Sequence, residues 1–189
     1  MNWAAAAAVA SLSMATPCLA APPFEPALNK SQLLLQSVVP APQAGFIVEA
    51  WADSSDRIYS VGQEVRLFLR GSRDAYYTVL TVGPEGDVLQ LYPTPHDPPM
   101  VVRAGDILTI PGHDDGRNIR AAYPVGRELI RIVGSTSPIT ILPSGVSRAA
   151  ADVAATQLQA EILRLPDGLA VFDLQLSTIA DAPCRCIGR

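Results

Sequence analysis

From Glu64 to Arg70 the chain alternates: Val65, Leu67 and Leu69 share one face, while Glu64, Arg66 and Arg70 share the other. A period of two is the spacing of a strand with one buried face and one wet face. The turn residues Gly71 to Asp74 lead to a second strand, Tyr76 to Val82, and Pro84-Glu85-Gly86-Asp87 then folds the chain back into Val88 to Tyr92. Two β-rich runs joined by a Pro/Gly/Asp turn form a hairpin. The chain must therefore be organised around an antiparallel sheet.

The rest of the chain extends this reading. Phe46 to Trp51 is a first strand and Asp53 to Asp56 a polar turn. Pro93, Pro95, Pro98 and Pro99 make residues 93 to 100 a rigid loop, because proline lacks the ladder donor and fixes its backbone. Asp106 to Ile110 returns as a strand closed by Pro111-Gly112, Gly112 to Arg120 is polar and exposed, and Leu129 to Val133 is another strand. After Pro143 the period changes. Ala150, Ala154, Leu158, Ile162 and Leu165 recur at helical spacing, predicting an amphipathic helix over 147–165 with Ser147 as N-cap and Pro166-Asp167-Gly168 as its end. Ala170 to Thr178 is the last strand, with Ala170, Phe172, Leu174 and Leu176 on one side. The expected fold is mainly β: an antiparallel β-sandwich or a partly open barrel, with one C-terminal amphipathic helix packed against it.

A chain of 189 residues with 49% hydrophobic side chains supports one domain with a real core. Its net charge of −4 and pI near 5.1 lack the basic footprint of a nucleic-acid binder. Residues 1–20 carry no charged side chain and end in Cys18-Leu19-Ala20, which reads as a signal peptide cleaved after Ala20. The competing reading is an alanine-rich N-terminal helix, since no Lys or Arg lies near Met1. Ala15-Thr16-Pro17 makes a poor lipidation box for Cys18. Residues 21–45 form a proline-rich arm, loosely ordered, with a short strand or helical turn at Ser31 to Val39. Residues 46–180 form the single β-rich domain, and 181–189 a tail containing Cys184 and Cys186. These two thiols cannot complete a zinc site alone; a local disulfide, pairing with another chain and an idle tail remain open. The expected mature chain has no transmembrane segment.

Tyr59-Ser60-Val61-Gly62-Gln63-Glu64-Val65-Arg66-Leu67 resembles the opening of a widespread bacterial domain, the domain of unknown function family 4384. Arg73 to Leu80, Pro84-Glu85-Gly86, Leu89 to Pro93, Ala104-Gly105-Asp106, Ile110-Pro111 and Gly126-Arg127-Glu128 resemble its later pieces in order. The resemblance covers roughly residues 56–135. Thr94 departs from it, standing where the family tends to place Asn after the aromatic-proline step. The resemblance implies an envelope-associated accessory or ligand-recognition domain and brings no catalytic residues with it.

The residues offer little for catalysis. His96-Asp97 and His113-Asp114-Asp115 lie in loops where an imidazole–carboxylate pair would serve as a base or hold a metal, though such loop residues are usually solvated or make turn hydrogen bonds. Pro143-Ser144-Gly145 lacks the nucleophile elbow, the glycines form no phosphate loop, and Asp53, Asp56 and Asp74 lack calcium-loop spacing. Aromatic residues beside polar turns are the better surface: Tyr76, Tyr77 and Tyr92, with Tyr59 nearby, joined by Arg66 and Arg70. The competing reading seats most of these tyrosines at the core rim. The expectation is a periplasmic or secreted recognition or structural module, not an enzyme, without cofactor or metal. It would contact another envelope protein in a secretion or surface assembly, with oligomeric state open. A small-molecule or glycan sensor and a metal-dependent hydrolase using His96 and His113 are the alternatives.

Overall fold

The computed structural model describes residues 27–41, 45–95, 97–112, 118–142 and 148–180. The fold is mainly β, with antiparallel sheets that do not close into a barrel and a C-terminal helix against them. The elements run α1 (Lys30–Ser37), β1 (Val48–Ala52), β2 (Ile58–Ser60), β3 (Glu64–Val65), β4 (Leu67–Gly71), β5 (Tyr76–Val82) and β6 (Val88–Tyr92). They continue as β7 (Leu108–Ile110), β8 (Ile119–Arg120), β9 (Gly126–Ser135), β10 (Arg148–Ala149), α2 (Ala151–Arg164) and β11 (Leu169–Ile179).

Three layers result. A six-stranded sheet of order β10-β6-β5-β9-β11-β2 lies in the middle, and a three-stranded sheet of order β1-β4-β7 covers one face. Helices α1 and α2 cover the other. Tyr77, Val79, Ile130, Ile132 and Leu174 meet Val48, Leu67 and Leu69 of the small sheet. From the opposite faces of the same strands, Leu80, Val82, Leu129 and Val133 meet Leu35, Ala154, Leu158 and Ile162 of the helices. Burial on both faces is why β5 reads as a nearly continuous apolar run rather than an alternating one.

β9 and β11 pair antiparallel from Thr178↔Gly126 to Leu169↔Ser135, and β2 joins β11 in parallel. The hairpin expected at Pro84 to Asp87 is present; Gly86 turns it with φ +93°, and a Cβ there would fall 2.5 Å from Ser31 Oγ of α1. The run expected as one strand from Glu64 to Arg70 is broken at Arg66. Its N–H donates to Asp53 Oδ1 (3.1 Å) and its carbonyl accepts from Asp53 N–H (3.0 Å). Before the break β3 pairs with β8; after it β4 pairs with β1 and β7.

Helix α2 begins later than the spacing predicts, with Ala150 as N-cap and no side-chain cap bond; Ser147, the expected cap, lies outside the described residues. The arm carries a full helix, α1, where a short strand or helical turn was expected at Ser31 to Val39, and α1 is seated on the sheet by its own polar side chains. Asn29 and Gln32 form a reciprocal capping box. Asn29 Nδ2 also donates to the carbonyls of Gly83 (3.1 Å) and Pro84 (3.0 Å), and buried Gln32 Nε2 to those of Val82 (3.0 Å) and Arg127 (2.8 Å).

Arg131 completes the attachment. It is fully buried on the helix side of β9, and its guanidinium donates to the carbonyls of Leu35 and Val38 (2.6 Å for the latter) at the end of α1. A cation there also meets the negative end of the helix dipole. Its cross-strand neighbour Asp173 stands 3.8 Å from Nε and hydrogen-bonds the Gln36 side chain. Burial raises the Asp173 carboxyl above its ordinary range, with Arg131 and Gln36 opposing the shift.

Replacing Arg131 by Met strands two helix carbonyls and the Asp173 carboxylate. The expected cost is about 3 kcal/mol by urea unfolding, with part recovered in the double variant Arg131→Met/Asp173→Leu. For Asp173, a raised folded-state pKa means its contribution is fullest below the unfolded value of about 3.9 and is lost as pH rises through the folded value. The stability of Asp173→Asn relative to the parent is therefore expected to rise from about pH 4 upward, by urea midpoints across the acid range.

Candidate functional site

Among the described residues the small sheet is covered on one face only, and side chains on its outer face are exposed. In β4 the alternation sends Leu67 and Leu69 inward and Phe68 and Arg70 outward, with Arg66 exposed just before the strand. In β1 Trp51 and Glu49 take the outward positions, and the register sets Trp51 opposite Phe68 and Glu49 opposite Arg70. The two rings stack at 5.8 Å between centroids and 18° between planes. Arg70 lies over the Trp51 ring, its Cζ 5.9 Å from the centroid, and its Nε donates to Glu49 Oε2 (2.8 Å). Trp51 keeps 37% of its surface exposed, Ile47 60% and Ile107 55%. The outcome is an apolar centre fixed by ring stacking and bordered by charge. A flat sheet presents such groups without further ordering of backbone.

Of the residues singled out from sequence, Arg66 and Arg70 lie on this surface. Tyr77 and Tyr92 do not: both are 1% exposed, because the middle sheet is covered on both faces and has no wet side there. Tyr92 Oη bridges the proline loop, donating to the Pro98 carbonyl and accepting from Met100 N–H (3.4 Å each). Tyr77 Oη has no hydrogen-bond partner, and burial pushes its pKa up. Tyr76, half-buried, starts β5 with the parity of Leu80 and Val82, on the helix-side face of the middle sheet and away from Arg66 and Arg70. Tyr59 is buried too and donates to Asp53 Oδ1 (2.6 Å); burial first, then that bond, raises its pKa.

Trp51 and Phe68 are the residues the sequence reading passed over. Phe68 had a signal, since it occupies a polar-face position of the Glu64–Arg70 run, where a large aromatic is out of place on a merely solvated strand. Its pairing with Trp51 required the register. His96, His113, Asp114, Asp115, Ser144, Cys18, Cys184 and Cys186 lie outside the described residues. Among the described residues no three His, Cys, Asp or Glu side chains gather as metal ligands, and no helix is long and apolar enough to cross a membrane.

Residues 58–138 match a family model described as Domain of unknown function (DUF4384), the family resembled in sequence. The match runs from β2 to just beyond β9. It contains Arg66, Phe68 and Arg70 and leaves out Trp51, both helices and β11. No curated protein matches the chain.

The assignment of tyrosines to the interior is directly testable. Tyr77→Phe removes an unpartnered buried hydroxyl and is expected to leave stability unchanged or raise it by about 1 kcal/mol in thermal or urea unfolding. Tyr77→Ala is expected to cost about 3 kcal/mol or more in the same measurement.

Proposed function

We propose that this chain is an exported, non-catalytic recognition module of the bacterial cell envelope, which binds another envelope protein through the outer face of its three-stranded sheet. The observation that carries the reading is the Trp51–Phe68 stack capped by Arg70. Aromatic and arginine side chains dominate the energetic centres of protein interfaces: the rings bury large areas with few rotors, and the planar guanidinium stacks on rings while donating several hydrogen bonds. Ile47 and Ile107 extend the apolar centre, and Arg66 and Glu49 supply a polar border. The uncharged N-terminal stretch supports export, and the family resemblance supports an envelope accessory role.

The test is affinity capture of the full chain from native envelope extract, beside the variant Trp51→Ala/Phe68→Ala/Arg70→Glu. The expected result is a stoichiometric protein partner whose affinity falls at least about thirtyfold in the variant, the loss of a hot spot of about 2 kcal/mol. Circular dichroism of the variant must match the parent. A partner retained equally by both proteins places recognition elsewhere and overturns this assignment.

A further inference from the structure

A second feature lies on the inner face of the middle sheet. β9 and β11 are ten and eleven residues long, whereas β1, β4 and β7 have five, five and three. The small sheet therefore leaves one end of the middle sheet to be covered by the β3–β8 ribbon and residues 121–124. The fit is incomplete, and a cleft of about 240 Å³ remains. Its walls are apolar: Val65, Leu67, Leu89, Leu91, Ile130 and Leu176.

Glu128 belongs to this lining, on the inward parity of β9 shared with Ile130 and Ile132. Thr178 Oγ1 of β11 donates to its Oε1 (3.0 Å) and Thr81 Oγ1 of β5 to its Oε2 (3.4 Å). These bonds hold the carboxylate from both sides and use two of its roughly four lone-pair sites. The arginines bordering the cleft are already matched: Arg148 with Asp87 (3.4 Å) and Arg120 with Glu64 (2.7 Å). Among the described residues no Lys or Arg pairs with Glu128 or with Glu85 at the same cleft. The cleft is thus a recess with a largely apolar wall and an oriented carboxylate that no described Lys or Arg side chain pairs with.

We propose that this cleft binds a small molecule carrying a primary ammonium group on an apolar stem. The stem removes the Leu and Ile walls from water, and the ammonium donates to the free lone pairs of Glu128, a charge-assisted bond strengthened by the low-polarity surroundings. The volume is that of about eight waters in the liquid, enough for a short alkyl or aryl amine. This site shares no residue with the Trp51 surface and does not depend on it.

The test titrates the full chain at neutral pH with hexylamine, 1-hexanol and hexanoate, followed by calorimetry and backbone NMR shifts. Hexylamine is expected to bind about tenfold more tightly than hexanol, with hexanoate weakest. Glu128→Gln, which preserves shape and an acceptor, is expected to bring hexylamine to the level of hexanol while leaving hexanol unchanged. Ala122→Trp, at an exposed position lining the cleft, is expected to weaken both and keeps the site testable should the Glu128 variant fold poorly. Equal affinity for amine and alcohol, an amine preference that survives Glu128→Gln, or no saturable binding at millimolar amine overturns the proposal.

Discussion

The two-sided burial of β5, β9 and β11 is the constraint on which the remaining structure depends. A strand apolar on both faces needs a covering layer on each side, and this chain supplies a second sheet on one and two helices on the other. Neither layer alone would suffice. The helices would leave Ile130, Ile132 and Leu174 in water, and the small sheet would leave Leu80, Leu129 and Val133 there. Residues before and after the family-matched segment are therefore structural: α1, α2 and β11 all lie outside it, and all close the core around it.

Arg131 places a charge within that largely apolar interior. A buried guanidinium is costly unless its hydrogen bonds are met; here the carbonyls at the end of α1 take its two terminal nitrogens, while Nε faces Asp173 Oδ1 at 3.8 Å with no hydrogen bond. Its role is positional. With Asn29 and Gln32 at the other end of α1, it fixes both ends of an eight-residue helix that has little amphipathic drive of its own. Polar anchoring of this kind sets where the helix sits, while apolar contact through Leu35 supplies the burial.

The two proposed sites lie where the layers do not match. Among the described residues no further layer lies over the small sheet, so Trp51, Phe68 and Arg70 take its outward positions. It is also shorter than the sheet it covers, so a cleft opens at Glu128. One mismatch leaves the exposed face proposed to bind a protein, the other the recess proposed to bind a small amine. Both follow from strand length and layer order rather than from any motif.

The sequence by itself determined the strands β4, β5, β6, β9 and β11, the hairpin, the proline loop and most of α2, because period and turn residues act locally. It also placed Arg66 and Arg70 on the wet face of their strand. The tertiary structure decided which faces stay wet. Tyr77 and Tyr92 look like surface aromatics beside polar turns, yet distant segments cover them. Asp53 splits the Glu64–Arg70 run by taking the backbone groups of Arg66, and α1 forms where a loose arm with a short strand or helical turn at Ser31 to Val39 was expected, its caps and carbonyls finding partners far along the chain. Trp51 meets Phe68, and Glu128 meets Thr81 and Thr178, only through strand register. Local periodicity tells which way a side chain points relative to its own strand; what it points at depends on which layer arrives, and that is set by long-range packing.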